Sequence, residues 1–249
     1  INDYTPTATN TAGTQRLAAG SRIIGVTLGR NAIYIWSDTS MFTMRFVGTP
    51  FTFAFEQVGT NCGLIGQNAA VEVDGAAYWM SENGFFRFTG KLESMDCLVE
   101  DYVYDDLNTT SNQIVYCGIN NLFGEITWFY PTSTSNVNTR SVTYSYLDST
   151  AKRPIWFTNA SPLFTRSTWQ DSAVFGLPHA TKYNASDSAS FDVIGNTEGS
   201  TIYLEHETGV NQKFAGEAAV AIPASITSGD YDITQKIVRG AATNMADLR

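Results

Sequence analysis

Residues 70–94 read AVEVDGAAYWMSENGFFRFTGKLES, a run in which apolar stretches of strand length are cut by two turn dipeptides, Asp74-Gly75 and Asn83-Gly84. Both dipeptides suit tight hairpins, because Asp, Asn and Gly accept the positive φ that two-residue hairpin turns require. The run predicts four consecutive antiparallel strands, Val71–Val73, Ala76–Ser81, Gly84–Thr89 and Lys91–Ser94. Ala77-Tyr78-Trp79-Met80 is apolar at every position, so its strand needs cover on both faces.

The same pattern extends in both directions. Upstream, from Arg22 to Val58, the apolar runs predict strands Ile23–Leu28, Ala32–Ser37, Met41–Val47 and Phe51–Gln57. Downstream, they predict Ile114–Ile119, Glu125–Tyr130, Ser141–Tyr146 and Pro154–Phe157, and then Ala173–Pro178, Lys182–Ala185 and Ile202–His206 around a more polar stretch, 186–200. Later runs at Lys213–Ala221 and Tyr231–Val238 could supply further strands. Clusters of three or four strands recurring about every 40 to 50 residues fit the blade repeat of a β-propeller. Ile33-Tyr34-Ile35-Trp36, Ala77-Tyr78-Trp79-Met80 and Ile126-Thr127-Trp128-Phe129-Tyr130 strengthen the repeat, each placing aromatics within a strand. A β-sandwich would show the same alternation without the repeat. The expected fold is thus all-β, a propeller-like stack of small antiparallel sheets. The expected organisation is an extended N-terminal segment over 1–20, a propeller-like domain over 21–240 that could be partial, and a C-terminal tail over 241–249.

One segment breaks the strand rule. In LVEDYVYDDLN, Val99, Tyr102, Val103 and Leu107 fall at helical spacing, with Glu100, Asp101, Asp105 and Asp106 on the complementary face. That spacing predicts a short surface helix over 99–108 with a solvated acidic face. The order of oxygen ligands around a glycine that a calcium loop needs is absent.

Composition supports the strand reading. In 249 residues there are 12 Tyr, 15 Phe and 5 Trp, residue types that favour pleated surfaces, while Lys and Glu are few. A formal net charge of -9 argues against a nucleic-acid grip, since holding a polyanion rests on Lys and Arg neutralising phosphates. Cys62, Cys97 and Cys117 lie far apart without a C-x-x-C pair and read as small apolar residues of a protein made in a reducing cytoplasm. No stretch approaches the ~20 apolar residues of a membrane span, and no signal peptide is read at the start. The sequence opens on Ile1, which reads as a processed terminus or as a piece of a longer chain.

Chemistry-bearing motifs are sparse. The two histidines are His179, after Pro178, and His206, between Glu205 and Glu207. Nucleophile elbow, phosphate loop and zinc-protease motifs are all missing. Glycoside hydrolysis on a propeller needs two positioned carboxylates, which spacing alone does not identify, and the repeated turn of sialidase-like propellers has only loose echoes at Ser37-Asp38-Thr39-Ser40 and Ser81-Glu82-Asn83-Gly84. Trp36, Trp79 and Trp128 read as core. Trp156 and Trp169, with polar neighbours, are the better candidates for an exposed carbohydrate platform, although packing between blades or subunits is the preferred reading even for these. The expectation is a non-enzyme with no catalytic residues, no cofactor and no metal.

The run from Gly59 to Ala69 (GTNCGLIGQNA), with VEVDGAAYWMSENGFFRFTGKLESMDCLVEDYVYDDLN after it, resembles bacteriophage virion proteins of the tail-tube and tail-nozzle type. So do IYIWSDTSMFTMRFVGTPFTFAF, Glu125–Pro131 and Ser225–Ile233. The resemblance spans about Asp3 to Ile233, and family members are usually longer. It implies a β-propeller platform of a tail nozzle or neck, made in the host cytoplasm and located in the virion. There it would assemble with identical subunits as a ring, commonly sixfold, around the DNA exit channel. Partners would be other tail, adaptor or portal proteins, with DNA met only in passage during ejection, without specific binding, and with no membrane. An acidic wall would then keep DNA from sticking. Asp3–Gly20 and Asn244–Arg249 could reach onto neighbouring subunits. The alternative is a receptor-binding or glycan-binding propeller on a phage particle, or a glycoside-active one. A cellular scaffold is disfavoured by the missing G-H…W-D repeat.

Overall fold

A computed structural model of the chain describes residues 5–7, 10, 12–48, 51–160, 166–172, 174, 176–184 and 200–205. These all belong to the first of two units, Ile1–His206; the second, Glu207–Arg249, lies outside the described residues. His206, Lys213–Ala221, Tyr231–Val238 and Asn244–Arg249 are therefore not placed.

The described part is built of small antiparallel sheets. Strands β1 (Ile23–Leu28), β2 (Ile33–Ser37), β3 (Ser40–Gly48) and β4 (Thr52–Thr60) form the first, paired in chain order. The second holds β5 (Ala70–Val73), β6 (Ala76–Ser81), β7 (Gly84–Phe88) and β8 (Leu92–Ser94). After a short helix, α1 (Glu100–Tyr104), the third holds β9 (Tyr116–Asn120), β10 (Glu125–Tyr130), β11 (Arg140–Ser145) and β12 (Trp156–Ala160). Strands β13 (His179–Asn184) and β14 (Ser200–Glu205) pair as a fourth, and Gln170 bridges to His179 at its edge.

Local chemistry accounts for these boundaries. Asp74 and Gly75 both take positive φ, 51° and 87°, as a two-residue turn between Val73 and Ala76 requires. The next turn uses Glu82 and Asn83, one residue earlier than the Asn83-Gly84 reading, because Gly84 already pairs with Ser81. Of the predicted strand Ala173–Pro178, the described residues, 174 and 176–178, are not in a strand; they lie in the turn that leads from Gln170 to His179, with Gly176 at φ 79°. Residues 5–7, 10 and 12–20 contain neither helix nor strand.

The core repeats one device three times. Trp36, Trp79 and Trp128 are each fully buried on the second strand of their sheet. Each faces a small residue on the first strand, Gly25, Ala70 and Cys117 respectively, which leaves room for the indole. The sheets then meet through aromatic edges, with Trp36 and Trp79 centroids 5.4 Å apart and Phe85 and Trp128 centroids 5.0 Å apart. Two indoles also fix the connection between sheets, Trp79 Nε1 donating to the Cys62 carbonyl at 2.9 Å and Trp128 Nε1 to that of Ala69 at 3.0 Å. Gly63 passes so close to the first sheet that a Cβ would lie 2.1 Å from the Asp38 carbonyl oxygen; any side chain there would force the connection away.

The helix is shorter than predicted and faces differently. It spans five residues, and although Val103 and Leu107 are buried as expected, Tyr102 is 45 % exposed. Tyr104 takes the inner place, donating its hydroxyl to the Ser81 carbonyl at 2.6 Å. The helix stops because the chain turns at Leu107 and Asn108 to pair with Thr132 and Pro131 at the end of β10.

Candidate interaction surface

First strands stand side by side. β1 lies against β5 and β5 against β9, and Asn68 and Tyr116 form a parallel bridge at the entries of the last two. Between them runs a polar cleft of about 280 Å³ lined by Thr27, Asn68, Tyr116, Gln170 and Asp171 among others, without a lysine or arginine.

This arrangement gives the three four-stranded sheets two unlike ends. Because each sheet is an up-and-down meander, the turns β1–β2, β3–β4, β5–β6 and β9–β10 emerge at one end, here the turn end. The β2–β3 and β6–β7 turns and the connections between sheets gather at the other, the connector end. Hydrogen bonds confirm the common direction. Asn83 of the β6–β7 turn donates to the Asn61 carbonyl at the end of β4, Asn112 donates to Glu82, and Asn138 donates to the Ile114 and Ser167 carbonyls. At the turn end, Asn121 donates to Asp171 from its backbone and its side chain.

The turn end carries an exposed apolar ribbon. β3 pairs with β2 only as far as Met44, opposite Ile33, so Arg45–Gly48 continue with β4 alone. On this two-stranded extension Phe46 is 74 % exposed, Phe51 80 % and Phe53 43 %, with the Phe46 and Phe53 rings edge to face at 5.8 Å. Leu122, Phe123 and Leu147 are exposed at the same end. The sequence reading placed Phe46, Phe51 and Phe53 on the strands Met41–Val47 and Phe51–Gln57; only the unequal strand lengths show that no described strand continues alongside β3 there. The available signal was Phe51-Thr52-Phe53-Ala54-Phe55, which puts three phenylalanines on one face of an outermost strand.

The connector end carries α1. Leu98 is 79 % exposed beside Tyr102, and Asp101 and Asp105 are exposed around them. Asp106 is fixed inward, its carboxylate accepting from Ser133 Oγ and Arg140 Nη1, both at 2.7 Å. The Ser133 hydrogen bond is the main cause that holds its carboxyl below the usual range, with Arg140 adding to it. Arg140 also lies over the Tyr102 ring at 5.0 Å. Burial pushes the neighbouring Tyr130 phenol up to about 12.

Trp156 and Trp169 both take the packed role that the sequence reading preferred over an exposed carbohydrate platform. Trp169 is buried beneath Arg166, and Trp156 packs on Trp128, Phe85 and Tyr144 with its indole donating to the Asp96 carbonyl. His179 is half-buried, with Nδ1 2.8 Å from the Leu177 carbonyl. Cys62 and Cys117 are buried and Cys97 half-buried, all free thiols. Among the described residues no group of His, Cys, Asp and Glu is arranged to hold a metal, and no helix is long and apolar enough to cross a membrane. A second cleft, of about 420 Å³, lies between the second and third sheets, lined by Tyr144, Tyr146, Ser149 and the Arg87–Glu93 ion pair.

No family model matches the chain, and no curated protein is significantly similar to it.

Proposed function

We propose that this chain is a structural virion protein of a bacteriophage tail or neck, a nozzle or tube component with a propeller-like stack of sheets, assembled with identical subunits as a ring around the DNA exit channel. The observation that carries the assembly reading is the phenylalanine ribbon: a two-stranded extension is marginal in water by itself, and bare aromatics on it call for a protein partner. Side-by-side first strands and the threefold recurrence of a buried Trp opposite a small residue support the propeller-like stack. The resemblance of word order along the chain supports the tail assignment. The absence of basic residues from the first-strand cleft, together with the net charge of -9, suits a surface that DNA passes without adhering. Electron microscopy of particles labelled through this chain tests the reading. Density at the tail or neck, arranged as a ring, is the expected result; particles that lack the chain overturn it.

A second reading, a glycan-binding protein on such a particle, is favoured by the 420 Å³ cleft. Its size lies within the range of ligand sites, and Tyr144, Tyr146 and the paired Arg87 and Glu93 offer hydroxyl-directed donors and acceptors, with Asp96 a further carboxylate of the lining. Binding of neutral saccharides on a glycan array, abolished by Arg87→Ala, is its expected signature.

A further inference from the structure

Strand alternation builds the cleft between the second and third sheets. Along β7, Phe85 turns into the core against Trp128 and Trp156, and Arg87, two residues on, stands on the same face. Register sets Arg87 directly between Tyr78 of β6 and Glu93 of β8, and Glu93 holds its guanidinium at 2.5 Å. The third sheet meets this row with Tyr144, whose ring packs on those of Tyr78 and Trp156.

The remaining walls are fixed as well. Past the end of β8, the Asp96 carbonyl accepts from Trp156 Nε1 of β12 at 2.8 Å, which staples that segment to the third sheet. The 149–154 turn is closed by two backbone hydrogen bonds between Thr150 and Arg153, and Ser149 Oγ accepts from the Ile155 N–H at 2.8 Å. Walls held before a ligand arrives leave little ordering for binding to supply.

Charge in the cleft is unequal. Arg87 is already matched by Glu93, whereas the carboxylate of Asp96, on the same lining, meets neither a cation nor a hydrogen-bond donor among the described residues. Lys152 and Arg153 of the turn are exposed and outside the lining. One carboxylate is therefore in excess, among the hydroxyls of Ser94, Tyr144, Tyr146, Ser149 and Thr150.

We propose that this cleft binds an amino sugar carrying a free ammonium group, with Asp96 opposite the ammonium and the Arg87–Glu93 pair hydrogen-bonded to the ring hydroxyls. The neutralised pair sets a donor and an acceptor side by side, which neighbouring hydroxyls match, and the unmatched carboxylate favours a cation. A plain sugar satisfies only the first feature and a plain amine only the second, while an acidic sugar meets Asp96 with like charge. The inference rests on the glycan-binding reading of this cleft and names the class of saccharide.

The test is titration calorimetry of the full chain at about pH 6, where sugar amines are protonated, with glucosamine, N-acetylglucosamine, glucose and ethanolamine. Glucosamine is expected to bind at least about fivefold more tightly than the other three, the effect of one charge-assisted hydrogen bond discounted for solvent exposure. Asp96→Asn should bring glucosamine down to the level of glucose while glucose binds as before, a split that a loss of fold would not give. Equal binding of glucosamine and N-acetylglucosamine, ethanolamine binding as tightly as glucosamine, or a preference that survives Asp96→Asn overturns the proposal. If the neutral sugars bind and the amine adds nothing, the glycan-binding reading stands and this inference alone falls; if no sugar binds, both fall.

Discussion

Replacing Trp79 by Phe should destabilise the protein more than the same change at Trp128, although both indoles are fully buried. Each substitution removes part of the indole from a packed aromatic cluster, a cavity term of about 1 kcal/mol. The difference lies in what the indole N–H leaves behind. Trp79 Nε1 is the donor that reaches the Cys62 carbonyl among the described residues, so its loss strands a buried acceptor, at about 1–3 kcal/mol. The Ala69 carbonyl accepts from Trp128 Nε1 and also from the Met80 backbone N–H at 3.2 Å, so it keeps a partner and the loss costs about 0.5–1 kcal/mol. We expect about 3 kcal/mol for Trp79→Phe and about 1.5–2 kcal/mol for Trp128→Phe, read as shifts of the urea midpoint at unchanged slope. Equal losses within about 0.5 kcal/mol, or the reverse order, would refute the argument that satisfaction of the connecting carbonyls decides the cost.

Gly75→Ala should destabilise by about 1 kcal/mol or more, because Gly75 sits at φ 87° where a Cβ is strained; Asp74→Asn, which tolerates the same region, should be nearly neutral in the same urea titration. Alkaline stability should fall as the pH rises from about 10 towards the value of about 12 at Tyr130. A phenol whose folded value is raised contributes fully below its unfolded value and loses that contribution as the pH climbs through the folded one, so complete phenolate absorbance near pH 10 in a still-folded protein would contradict it. At acid pH the sign reverses for Asp106. Its depressed folded value means that its stabilisation is present above the unfolded value and is lost as the pH falls through the folded one, and Ser133→Ala should reduce the acid sensitivity of the melting temperature. Cys97, pushed up to about 12 by burial, should react with a thiol reagent at pH 8 only when the protein is unfolded; rapid labelling of the native state would place it at the surface.

Much of the fold was legible in order and period alone. Asp74-Gly75 announced its turn because only a few residue types accept two positive φ values in succession. β1, β6 and β10 match the apolar runs Ile23–Leu28, Ala76–Ser81 and Glu125–Tyr130, since alternation and strand length are properties of a single segment. The recurrence of Trp36, Trp79 and Trp128 was visible as well, but the small residue across from each was not, because register joins segments distant in the chain. At α1, helical spacing named Tyr102 as an inward residue, and the turn into Asn108 gave that place to Tyr104. Spacing describes an isolated helix, whereas five residues pinned at both ends rotate to satisfy their anchors.

By itself, then, the order of residues determined an all-β chain of short antiparallel strands, an acidic balance and an aromatic core. Tertiary structure alone decided which aromatics stay in water. Phe46 and Phe51 are as apolar as Phe85 and Phe129, and what separates them is that the pairing of β2 with β3 stops at Met44, leaving a ribbon that no other described strand flanks. Exposure depends on the lengths and directions of the strands alongside, and those relations exist only once the sheets have come together.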